Sequence, residues 1–142
     1  MATRSQVLFY EEGYDRPIVF YQHWDGYELP HIVADALDRA DKAGRLTDTP
    51  YLGRIIFSEM LRHSNHNNED WNTALSDPLS YGISFSKTDW IEWTVEVHSK
   101  YNDKPTIVVN EDAYSFDNFI THYLKENGAW NWKNKVEEPV NV

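Results

Sequence analysis

An α+β domain, with an antiparallel sheet of about five strands and helices packed on one face, is what this sequence predicts. Three observations carry the prediction. Period-two or β-branched runs lie towards both ends of the described order, in residues 7–24 and 81–109, and segments of helical period lie between and after them. Consecutive strands are joined by connections too short for the crossover that a parallel pair needs. The expected order is therefore ββααβββα. The 142 residues suit a single domain, 1–142, with a polar C-terminal tail from about residue 133.

Val7 to Glu12 and Pro17 to Trp24 are rich in β-branched and aromatic residues, and Gly13-Tyr14-Asp15-Arg16 between them has the composition of a turn, so they predict a hairpin. In the second run Ile18, Phe20, Gln22 and Trp24 alternate with Val19, Tyr21, His23 and Asp25. Both sets include rings, which implies a strand covered on both faces. After Gly26 the period changes. Leu29, Ile32, Val33, Ala36, Leu37 and Ala40 share one helical side, Pro30 suits the first turn and Gly44 the stop. Thr49 is the expected N-cap of a second helix, with Pro50 at its first position and Leu52, Ile55, Ile56, Met60 and Leu61 as its stripe to about His63.

Ser64 to Asp70 is too polar to bury and predicts a loop, with Trp71 and Leu75 as anchors for its return. Three strands follow at Tyr81 to Ser86, Ile91 to His98 and Thr106 to Val109. Ser115 caps a last helix lined by Phe116, Phe119, Ile120, Tyr123 and Leu124, which Asn127-Gly128 ends. Trp130 and Trp132 start a tail whose first half is expected to dock.

Composition narrows the function. There is no cysteine, so disulfide and thiolate chemistry are excluded and any metal must be held by His and carboxylates. Thirteen Lys and Arg against 23 Asp and Glu give a net charge of -10, which repels phosphate backbones, so no direct nucleic-acid binding is expected. The N-terminus has no apolar signal region and no apolar run approaches the roughly 20 residues that span a bilayer, so the expectation is a cytoplasmic protein with no membrane partner. Six Trp, nine Tyr and six Phe supply more rings than a core of this size needs, which leaves some for a pocket or for a homodimer interface.

The densest candidate site is Tyr21, His23, Trp24, Asp25 and Tyr27, a group of rings at a strand end beside an Asp-Gly turn. His23 and Asp25 share a strand face about 7 Å apart and form a candidate general-base pair, against the simpler reading of a turn in which Asp caps backbone and Gly takes a positive φ. Stacking on a planar ligand needs exposure of these rings, and a nucleotide would add a demand for a cation such as Arg54, with Arg16 or Arg62 as further candidates. His63 and His66, three residues apart with Glu69 and Asp70 behind them, are weak candidates for a metal; a full site needs three or four converging ligands, so neither metal nor cofactor is expected. His31 and Asp35 at i and i+4 read as an exposed stabilising pair, and Glu92 and Glu96 as a solvated strand face.

The run Tyr21-Gln22-His23-Trp24-Asp25-Gly26-Tyr27 resembles the Tyr-x-His-Trp-Asp-Gly-Tyr-Pro signature of a family of small bacteriophage and prophage proteins, with Glu28 here in place of the final Pro. Specific residues match only within 19–27, and the element order matches more widely. The resemblance implies a viral origin, a host-cell cytoplasmic setting and an α+β fold; it brings no catalytic residues. The expected function is that of a phage-like accessory protein that binds rather than catalyses, taking a small planar or nucleotide ligand, or a host factor, in an aromatic pocket. One alternative is an acidic inhibitor of a host nucleic-acid or defence enzyme, a host-defence antagonist acting through protein contacts. The other is an enzyme built on His23 and Asp25.

Overall fold

The computed structural model describes residues 3–66 and 80–124, with side chains in the second helix as far as His63. The chain runs β1 (Ser5–Tyr10), β2 (Ile18–Gln22), a 3-10 turn (Gly26–Glu28), α1 (Leu29–Lys42), α2 (Thr49–His66), β3 (Tyr81–Ser84), β4 (Trp93–His98), β5 (Thr106–Val109), β6 (Asp112–Tyr114) and α3 (Phe116–Tyr123). The α+β class and the three helices follow the reading of the sequence, but α2 runs on through residues 64–66, where a loop was expected, and α3 ends at Tyr123, before the expected Asn127-Gly128 stop. Trp71, Leu75, Trp130, Trp132 and the tail fall outside the described residues.

The sheet has six strands in the order β3-β2-β1-β4-β5-β6. Its strands alternate as period two requires, and the inward residues align in rows across the ladder. Phe20, Val7, Val95 and Val109 form one row, and Ile18, Phe9, Val97, Ile107 and Tyr114 the next. The apolar sides of α1, α2 and α3 close over these rows, bringing Ile32, Leu37, Ile56, Met60 and Phe119 into one core with Val7, Val95 and Val97. The chemistry of the ends follows the sequence in most places. Pro30 sits in the first turn of α1, Gly44 takes φ +72 just beyond it, and the Ser115 hydroxyl accepts from the Asn118 amide at 3.1 Å. Thr49 differs. It lies within the first turn of α2, and its hydroxyl shares a 2.6 Å hydrogen bond with Ser99 Oγ, which ties the helix start to the end of β4.

The sheet is mixed rather than wholly antiparallel, because β1 and β4 run parallel, Val7 beside Val95 and Phe9 beside Val97. The expectation assumed that strands adjacent in sequence are adjacent in the sheet, and β3 and β4 are not. They flank the β1–β2 hairpin on opposite sides. The link between them crosses the face away from the helices, where the Thr88 amide donates to Gln6 Oε1 and the Glu92 amide to the Arg4 carbonyl. β6, too short and too polar to show a period, is the strand that the pattern did not predict.

Candidate functional site

β2 ends at Gln22, whose side chain is fully buried and donates to the carbonyls of Trp24 at 2.9 Å and Asp25 at 3.2 Å. That amide folds the chain back on itself. Asp25 takes the left-handed conformation, φ +56 and ψ +40, which Asp tolerates better than most residues because its short side chain can bond locally. The positive φ therefore falls on Asp25 and not, as expected, on Gly26. Glycine is needed at 26 for space: its amide donates to the Thr3 carbonyl at 2.9 Å, and a Cβ there would lie 2.5 Å from that oxygen and 2.9 Å from Ser5 Cβ.

The corner leaves some of its rings open. Trp24 is 50% and Tyr27 52% exposed, while Tyr21 and His23 are half-buried. Tyr21 Oη and His23 Nδ1 share a 2.6 Å hydrogen bond, and the His23 ring stands edge-on to Trp24 with centroids 4.6 Å apart. Tyr21, His23 and Trp24 thus form one continuous ring surface. The expected His23–Asp25 base pair is not what these bonds build, because the imidazole Nδ1 is engaged by Tyr21 and the Asp25 carboxylate converges elsewhere.

It converges with Glu28 and His63. One ligand atom from each of Asp25, Glu28 and His63 lies within 4.8 Å of the other two. Glu28 and His63 are each only 6% exposed, and His63 Nε2 contacts Glu28 Oε2 directly. Tyr27 lies beside this group as well: its hydroxyl is pushed above its ordinary pKa by the charge of Glu28, then by that of Asp25. His63 was expected to pair with His66, Glu69 and Asp70; the side chains of those three lie outside the described residues, and the partners found come from the β2–α1 corner instead. Glu28 was missed by the sequence reading. The one signal for it was its i, i+3 spacing from Asp25 across the turn.

Arg54 is not brought to this corner. It precedes His63 by nine residues on α2, about 13 Å along the axis, and its guanidinium reaches Ser58 Oγ at 3.4 Å. There it lines an open groove of about 470 Å³ between α1 and α2 with Asp38, Arg39, Lys42 and Arg62. Beside this groove, Asp35 is 3% and Glu59 2% exposed. Burial, then the charge of Asp35, pushes the Glu59 carboxyl up to about 7, outweighing the attraction of Arg39 at 3.1 Å and Arg62 at 3.6 Å. Asp35 is thus buried rather than exposed as expected, and His31 Nδ1 meets the Tyr123 carbonyl at 2.9 Å and helps to seat α3.

Among the described residues no helix is long and apolar enough to cross a membrane. No protein family, curated protein or solved structure matches the chain.

Proposed function

We propose that the protein acts by binding, as a small phage-like accessory protein that takes a planar ligand of nucleotide type on the ring surface of Tyr21, His23 and Trp24, with Tyr27 at its margin. The observation that carries this reading is the half exposure of Trp24 and Tyr27 on a backbone corner held rigid from beneath by Gln22 and Gly26. Rings held in place lose little entropy when a ligand stacks on them, and each stacked base is worth about 1–3 kcal/mol. Arg54 stands too far away to serve the same ligand, so phosphate recognition is the weaker part of the reading.

A panel of nucleotides and free bases tests it, with thermal shift and Trp fluorescence as readouts. Binding is expected to quench fluorescence in the native protein and to quench it far less in Trp24→Phe. A panel without a thermal shift or quenching overturns the reading. A second reading, a host-protein antagonist, is favoured by the exposed Ile83, Phe85 and Trp90 at and beyond edge strand β3, 61%, 82% and 84% exposed. Pull-down from host lysate that Phe85→Ser and Trp90→Ser abolish and Trp24→Ala spares would support it over the first.

A further inference from the structure

We propose that Asp25, Glu28 and His63 form a binding site for one divalent cation of the zinc or manganese class. The argument begins with the donor set. One imidazole nitrogen and two carboxylate oxygens suit borderline first-row ions better than calcium or magnesium, which prefer oxygen alone. The geometry is near to that of a site. Donor atoms on a tetrahedral ion with bonds of about 2.0–2.2 Å lie about 3.3–3.6 Å apart, and these lie within 4.8 Å of one another, so admitting an ion takes side-chain shifts on the order of an ångström, with His63 and Glu28 parting to make room.

Two further observations point to a missing positive charge. Glu28 Oε2 is buried and in direct contact with His63 Nε2, a contact that offsets the carboxylate charge only when the imidazole is protonated. A buried carboxylate without that offset is costly, and a shared cation between it and the imidazole removes the cost. The second is Gln22, fully buried, whose Oε1 has no partner among the described residues while its amide nitrogen grips the Asp25 carbonyl. That grip sets the left-handed Asp25 backbone and so aims the second carboxylate. The Tyr27 hydroxyl, near enough to both carboxylates to feel their charge, is placed to act as an outer group that orients them. Since Asp25 is only partly buried, an incoming cation has a path, and water or a ligand group has an open position.

The site stands apart from the aromatic reading: it can hold a cation whether or not a nucleotide stacks nearby, and each is measured separately. The full chain, stripped with EDTA, is titrated with zinc and with manganese by calorimetry and by thermal shift. One-to-one binding of at least one of the two and a rise in the thermal midpoint are expected, with magnesium and calcium at least tenfold weaker. Asp25→Asn, which leaves the His63–Glu28 contact in place, is expected to weaken binding at least tenfold, and Tyr27→Phe less. Should His63→Ala fail to fold, Asp25→Asn decides. Absence of binding by both ions overturns the proposal. So does binding that Asp25→Asn spares and His66→Ala abolishes, which would place the ion at the C-terminal end of α2.

Discussion

At the scale of single residues, the strand end after Gln22 shows how backbone demands select side chains. Gly26 is there because the first residues of the sheet pass against its Cα, within 2.5 Å of where a Cβ would be. Gly26→Ala is therefore expected to destabilise the protein by about 1–3 kcal/mol, the usual range for forcing atoms into a packed space, as read from urea unfolding. Trp24 gives the opposite expectation. Half-exposed, it should change stability by no more than about 0.5 kcal/mol when replaced by Ala, while lowering affinity for a stacked ligand. Equal loss of stability and affinity would place Trp24 among the structural residues. The sequence marked Asp25, Trp24 and Tyr27 as unusual but could not show that the carboxylate turns towards α2, because Glu28 and His63 are distant in sequence and meet only when the helix docks.

At the scale of elements, the α1–α2 pair carries a titration that the pattern of either helix conceals. Glu59 has its carboxyl raised to about 7 from 4.5, so the folded state holds a proton that the unfolded chain releases. The stabilisation is complete below pH 4.5 and is lost as pH rises through 7, with a slope of up to about 1.4 kcal/mol per pH unit for one proton. Glu59→Gln is expected to flatten stability between those limits, and unfolding curves at several pH values check it; an unchanged slope would show that Glu59 is ionised when folded. α3 is held differently. Phe119 is completely buried and packs against Tyr114 and Tyr123, so Phe119→Ala should cost about 3–5 kcal/mol and release α3 first, as near-UV circular dichroism would report.

At the scale of the whole molecule, β1 is the centre on which the fold depends. It pairs with β2 on one side and with β4, far along the chain, on the other. Amides of Val7, Phe9, Val95 and Val97 are therefore expected to exchange with solvent only by global unfolding, whereas those of edge strands β3 and β6 exchange through local opening. Hydrogen exchange followed by NMR measures this, and fast exchange at Val95 would contradict the central place of the β1–β4 ladder.

Residue order alone determined the types of the elements other than β6 and many of their limits, since period, caps and turn chemistry are local: Leu29 to Ala40 can bury one side only as a helix, and Ser115 caps its helix with its own hydroxyl. Local pattern also singled out the ring-rich strand end. Tertiary structure alone decided that β4 lies parallel to β1, that Asp35 and Glu59 are enclosed between helices, and that His63 faces Asp25 and Glu28. Each of these depends on which surfaces close over one another, and that choice is made by the summed burial of the whole apolar core, to which no single stretch of sequence has access.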